Sequence, residues 1–352
     1  DPLWSRGLGD VYKRQAAPTR TSFVSCMPSV RLSIKPAVLF HLPNSLPSTG
    51  PNNRDCPGHS TVRRASEGIF MHAENSFVID DWYPVGALAE TVSGRKYHTR
   101  ILGTEIWYQL ADGTVSAGLA DNTAELASKS IYGLLWVSLS DNPRDVIAIP
   151  EFAEADRRVV SAGSIRVATS GLRVIENFLD MAHFPFVHTD ILGAEPLTEV
   201  AAYDVEIDEA ADEIRAVNCR FPQPKGSAAA SEPVEMQYVY RIARPFIAIL
   251  YKTCVIDANR LDVLGLFVQP VDQESSIAHT IMCYLDDINT DKQLRDFQQR
   301  IFGQDIMILI NQVPKALPLN PRHETPVRAD ALSSAYRRWL NDRNVTFGTT
   351  RG

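Results

Sequence analysis

No apolar run in the sequence approaches the length needed to cross a bilayer, so nothing supports a membrane-spanning role. Basic surplus is also missing. Asp and Glu outnumber Lys and Arg by 42 to 35, a net charge of −7, the opposite of a nucleic-acid-binding balance. Cysteine is scarce: Cys26, Cys56, Cys219, Cys254 and Cys283 form an odd set, and the last three fall in strand-like stretches. That argues against a disulfide framework and for a reduced, cytoplasmic setting, with the thiols as ordinary buried side chains.

What remains is the text of a globular protein, 45% hydrophobic and 22% charged, with 352 residues for one large domain or two medium ones. Residues 1–70 differ from the rest. They are rich in Pro, Ser and Arg, show no helical or strand period, and carry nine Lys/Arg against four Asp/Glu. The remainder carries 26 against 38, and so sharp a break marks a boundary. Asp10-Val11-Tyr12-Lys13-Arg14-Gln15 looks like a translated library adapter, and Met71 is a plausible start. The rival reading is a transit peptide, since the stretch is Arg- and Ser-containing and poor in acids. On either reading 1–70 is a leader without a fold of its own.

From residue 71 onward the patterns are regular. Tyr97–Leu102, Glu105–Leu110 and Thr114–Leu119 alternate as strands, with Asp112-Gly113 as a hairpin turn, and Tyr132–Leu139 is a further apolar strand. Ser170 is a good N-cap for a helix through residues 171–183. Strand-like stretches follow over 197–208, 212–221, 234–243, 245–256, 261–271 and 275–285. A long helix begins at Thr290 and is stopped by Val313-Pro314, and a last helix covers about 328–341. Strands in succession with grouped helices define an α+β fold.

The strongest chemical signal is Asn177-x2-Asp180-x2-His183-x4-His188. Asp180 and His183, three apart, would share a helix face. His183 and His188, five apart, would diverge on an ideal helix. Pro185 between them should end the helix and let the chain fold His188 back, so that the two imidazoles face one metal. A third ligand should be a distant carboxylate. On the long helix Leu294, Phe297, Ile301, Ile308 and Gln312 trace a stripe that includes Asp305, and a carboxylate on a core-facing stripe needs a partner. Two His and one carboxylate with open positions suit Fe(II) and O2. Spacing alone leaves other outcomes open: two satisfied histidines, Asp305 paired with Arg300 or Arg337, or Asp180 acting as a cap or in a salt bridge.

Together with Asp81-Trp82-Tyr83-Pro84-Val85, YGLLWVSL at 132–139, FGQD at 302–305 and LPLNPRHETPVRADALSSAYRRWL at 317–340, this motif resembles the Rieske non-haem iron oxygenase α subunits, in the vanillate O-demethylase-like monooxygenase branch. The resemblance implies a helix-grip catalytic domain, an antiparallel sheet curved around a long helix, over 151–352, preceded by a truncated remnant of an all-β Rieske-type domain over 71–150. It implies mononuclear Fe(II) on His183, His188 and Asp305. Asp180 would be the acid bridging to a neighbouring subunit's cluster, and Asn177 a residue near the site. The implied partners are O2, an aromatic or similar hydrophobic substrate, and an NAD(P)H-dependent reductase or ferredoxin. The implied assembly is a head-to-tail homotrimer.

One departure matters. The family's [2Fe–2S] cluster is held by C-x-H and C-x2-H pairs. Here the corresponding connection, LADNTAELASKSI, has neither Cys nor His, and C-x-H occurs nowhere in the chain. Cys56-Pro57-Gly58-His59 has the second spacing but precedes Trp82 and reads as chance. The expectation is an iron oxygenase that hydroxylates or O-demethylates its substrate, deprived of its electron conduit and weakened in assembly. The alternative is a non-catalytic helix-grip module that binds a hydrophobic small molecule. The intact ligand set favours the first. Ile247, Ile249, Leu264 and Leu266 are candidates for a substrate pocket, and equally for plain core.

Overall fold

A computed structural model describes residues 75–350 apart from Asn122 and Pro321. The leader at 1–70, Met71, Cys26, Cys56 and the CPGH stretch lie outside the described residues. Cys219, Cys254 and Cys283 are free and buried, as expected.

The first described elements are a one-turn helix, α1 (Ser76–Ile79), and strand β1 (Tyr83–Ala87). Strands β2 (Lys96–Ile101), β3 (Thr104–Ala111), β4 (Thr114–Leu119) and β5 (Glu125–Leu126) then form a four-stranded antiparallel sheet. Asp112 and Gly113 make the expected two-residue turn, both at positive φ (49° and 74°), the conformation a right-twisted hairpin demands. A second such turn was not legible. Tyr132 and Gly133, at φ 57° and 74°, join β6 (Ser128–Ile131) to β7 (Leu134–Val137), so the strand expected over Tyr132–Leu139 is shorter at both ends. Tyr132 is an awkward residue for this backbone. Its hydroxyl donates to Ile147 O at 2.8 Å and accepts from Ile149 N at 3.1 Å, which fixes the turn against the next loop.

The largest sheet has seven antiparallel strands in the order β8-β14-β13-β12-β11-β10-β9. They are β8 (Arg158–Val167), β9 (Asp204–Asp208), β10 (Glu213–Gln223), β11 (Val234–Arg244), β12 (Ile247–Thr253), β13 (Leu261–Asp272) and β14 (Ser275–Tyr284). Strand β8 was not expected; Ser161, Gly163 and Ser164 interrupt its apolar pattern. The strand expected over 197–208 contracts to β9, because Leu197 is held in an isolated bridge with Ala194.

Strand period decides which side chains reach the site. On one face Ala248, Leu250, Leu264, Leu266 and Val268 join the core under the helices. On the other Ile247, Ile249, Val263 and Phe267 pack on Trp82, Leu134 and Trp136 of the small sheet β1-β7-β6. The pocket expectation thus holds for Leu264 and Leu266 and is corrected for Ile247 and Ile249, which the two-residue alternation turns away. The central strands are covered on both faces, which explains their near-continuous apolar sequence.

Helix α2 (Gly171–Leu179), the short helix α3 (Phe184–Val187), the long α4 (Asp291–Leu309) and α5 (Ala331–Asp342) lie on the first face. Helix α2 starts at Ser170 as expected, its hydroxyl accepting from Leu172 N. It stops at Leu179, well before His183, and so corrects the expected single helix. Helix α4 opens on a Thr290/Gln293 capping box, and its buried face is Leu294, Gln298, Ile301, Phe302, Asp305 and Leu309. Phe297 and Ile308 flank that face half-buried, and Gln312 falls beyond the helix end. Arg295 and Gln299 donate to the carbonyls of Ser161 and Ala162, clamping α4 to β8.

Trp136 is fully buried and packs edge-on against Phe267 at 5.4 Å, joining the small sheet to the large one. Trp136→Ala should cost about 3–5 kcal/mol, measured as a lower urea midpoint at unchanged slope.

Candidate metal centre

The site begins where α2 ends. Asp180 leaves the helical region at φ −90°, ψ 120°. One of its carboxylate oxygens accepts from Ala182 N at 2.7 Å, and the other accepts from His183 Nδ1 at 3.1 Å. The contact expected between Asp180 and His183 exists, but a turn makes it, not a shared helix face. Asp180 is both the cap and the partner of His183.

Pro185 does not terminate a helix; it sits in the first turn of α3, where its missing N–H leaves nothing unpaired. His183 and His188 are the residues flanking this single turn. His183 O accepts from Val187 N, and Phe184 O accepts from His188 N. With neither histidine continuing the spiral, their rings converge to 4.9 Å between centroids. The following loop is pressed onto the turn. A Cβ at Gly193 would lie 2.7 Å from Pro185 N, so only glycine fits there.

Asp305, on the buried face of α4, completes the group. Its Oδ1 lies 3.1 Å from His188 Nε2 and 3.4 Å from His183 Nε2, and the two Nε2 atoms are 3.1 Å apart. All three residues are buried, with candidate ligand atoms within 4.8 Å of one another. Arg337 is engaged elsewhere, by Glu176 and Glu324, and Arg300 is exposed, so neither arginine alternative for Asp305 is met.

Proton bookkeeping shows what the arrangement asks for. A carboxylate cannot donate, so His183 Nδ1 must carry the hydrogen it shares with Asp180. His188 Nδ1 faces Gln304 Oε1 at 2.9 Å and donates to it. Both neutral rings therefore aim an Nε2 lone pair at the carboxylate Oδ1 of Asp305, which itself completes no hydrogen bond. Three buried acceptors facing one point need a cation between them. Without a metal a proton must serve. Burial opposes charge on His183, but the Asp180 and Asp305 carboxylates outweigh it and lift its pKa from 6.5 to about 10. Burial alone would raise Asp305, but His183 and His188 hold it well below the usual carboxylate range. The donor set, two imidazoles and one carboxylate, is one that could hold Fe(II) and leave positions open.

The centre opens into a partly enclosed, largely apolar cavity. Phe178, Phe184, Tyr238, Tyr240, Leu264 and Phe302 form much of its apolar wall. Asn177, from α2, lines it too. Two residues here were missed in the sequence: Gln304, whose only signal was its place beside Asp305 in FGQD, and Lys252, a buried lysine in an apolar strand.

Residues 167–344, from the end of β8 through α5, match the family of the vanillate O-demethylase oxygenase C-terminal domain. The chain belongs to this family, the catalytic domain of Rieske-type oxygenases. Methylxanthine N1-demethylase NdmA of Pseudomonas putida is 28% identical over 218 residues, 60% of this chain and 58% of that protein. The N3-demethylase NdmB of the same organism is 28% identical over 224 residues, 61% of this chain and 59% of its own length. The chain thus spans under two thirds of the curated relatives it matches. In fold it is similar to NdmA of Pseudomonas putida CBB5 with caffeine, at TM-score 0.62 and 17% identity, covering 76% of this chain and 91% of that one. It is also similar to dicamba monooxygenase bound to dicamba, at TM-score 0.60 and 13% identity, covering 76% and 97%.

A metal bound here would have to displace the proton that His183 favours. In the metal-free chain that proton contributes stability fully present below about pH 6.5 and lost as pH rises towards about 10. Metal affinity has the opposite sign: it should rise about tenfold per pH unit from neutral towards pH 10. Gln304→Ala should weaken it about 10–100-fold at each pH by freeing the His188 ring. Competition titrations with a chelator read both.

Proposed function

We propose that this chain is the catalytic part of a mononuclear iron oxygenase that holds Fe(II) through His183, His188 and Asp305. The observation that carries this reading is the convergence of two Nε2 lone pairs and the unpaired Oδ1 of Asp305 on one buried point beside an apolar cavity. Bound there, Fe(II) would supply O2 activation for hydroxylation or oxidative demethylation of an aromatic or similar hydrophobic substrate.

The chain's residues would do the rest. Asp180 and Gln304 fix the two imidazole tautomers and ring planes. Phe184 packs between the histidines and Tyr238, closing the apolar side of the centre. Asn177, Phe178 and Phe302 bound the space for the substrate ring and exclude water from it. Asp180 is half-buried, with a carboxylate oxygen on His183, which suits a second role as the acid through which a neighbouring subunit's cluster reaches the iron. In an intact parent that cluster would draw electrons from an NAD(P)H-dependent reductase or ferredoxin, within a homotrimer.

Electron supply is the weak point. The connection from β4 to β6 is closed by the two-residue strand β5. Among the described residues the only group of three or more potential metal ligands is His183, His188 and Asp305. With no C-x-H pair in its sequence, the chain should bind iron without a [2Fe–2S] cluster and fail to turn over with a reductase. Anaerobic loading with Fe(II) should give about one iron per chain, no acid-labile sulfide, and loss of the iron in His183→Ala. Hydrogen peroxide, which brings oxygen already reduced by two electrons, should then convert an aryl methyl ether to phenol, formaldehyde and water. Absence of tightly bound iron from both proteins would contradict the oxygenase reading and leave the non-catalytic binding module.

A further inference from the structure

The cavity beside the candidate metal centre contains a cation that the oxygen chemistry does not use. Lys252, on β12, is 6% exposed and shares the cavity lining with His183, His188 and Asp305. Its ammonium has three hydrogens to donate. One goes to Gly226 O at 3.2 Å, and the group also lies 4.9 Å over the Tyr284 ring. Among the described residues no carboxylate forms an ion pair with it. Asp262, the cross-strand neighbour of Lys252 on β13, favours its charge without closing to an ion pair. Asp262 accepts from Leu285 N, and Asp286 accepts from Ile288 N and Asn289 N. The hydroxyl of the neighbouring Tyr284 is buried and also unpaired. A charge kept inside an apolar pocket with donors to spare is costly unless something else completes it.

The position is suited to a ligand. Lys252 pairs across the sheet with Tyr238, whose ring is 6.3 Å from that of Phe184. Phe184 in turn lies 6.1 Å from His188. Lys252 and the metal centre thus border one aromatic-walled space.

We propose, on the basis of the oxygenase reading above, that Lys252 is the specificity-determining anchor of the cavity, and that the substrate is a small, mainly apolar molecule carrying one carboxylate, held on Lys252 with its far end at the metal centre. A charge-assisted hydrogen bond in this setting discriminates strongly between an acid and its neutral isostere. Burial lowers the pKa of Lys252 in the free chain, and a bound carboxylate would raise it again. Lys252→Met keeps the length of the side chain and removes the buried charge, a change the fold should tolerate.

The test compares 4-methoxybenzoate with 4-methoxybenzamide by calorimetry, on the full chain both iron-loaded and metal-free. The wild type should prefer the acid by about tenfold or more in both states. Lys252→Met should abolish that preference, while amide affinity stays within about twofold and iron content is unchanged; Lys252→Arg should largely retain it. Equal affinity for acid and amide in the wild type, or an acid preference that survives in Lys252→Met, overturns the proposal. So does a preference that disappears in His183→Ala, because the carboxylate would then be reading the metal. If no iron binds at all, the oxygenase reading fails by itself, and the acid-to-amide ratio of the metal-free chain still decides the role of Lys252.

Discussion

Three buried acceptor atoms aimed at one point, with no hydrogen left to share among them, are the constraint around which this protein is arranged. A proton can fill the gap by charging His183, and the two carboxylates that stabilise that charge would equally favour a metal. The rest of the local structure keeps the three atoms together. Asp180 turns the chain out of α2 and takes the Nδ1 hydrogen of His183, the single turn of α3 returns His188, and α4 supplies Asp305 and the neighbouring Gln304. Each partner removes one rotational or tautomeric freedom that the ligands would otherwise have.

The sheet contributes position more than chemistry. Its helix-side face presents Tyr238, Tyr240, Leu250, Leu264 and Leu266 to the cavity. Its other face is sealed by Trp82, Leu134 and Trp136. A sheet packed on both sides is a rigid floor, and helices clamped to it, as α4 is to β8 through Arg295 and Gln299, hold their side chains in fixed places. Lys252 is the one charged side chain that this face contributes to the cavity lining among the described residues.

The three converging residues were legible in the sequence because each broke a local rule: two histidines around a proline, and an acid on a core-facing helical stripe. The α+β class followed from strand-like runs set between turn residues. What was illegible depended on tertiary context. The stop of α2 at Leu179 is made by the Asp180 side chain, whose preference for a turn over a helix shows only once His183 is in reach. Strand β8 is paired by β14 despite a weak pattern, and the Tyr132-Gly133 turn relies on hydrogen bonds to a distant loop. The outward facing of Ile247 and Ile249 is a matter of register, which a run of apolar residues does not reveal.

The central claim is that the three residues hold a metal and leave part of its coordination open to a small diatomic ligand. Nitric oxide added anaerobically to the Fe(II)-loaded chain tests it most directly, by electron paramagnetic resonance beside Asp305→Ala. The expected result is a high-spin iron–nitrosyl signal close to one per chain in the wild type and none in the variant. A wild type that binds iron but gives no nitrosyl signal, or a variant that gives the same signal, would contradict it.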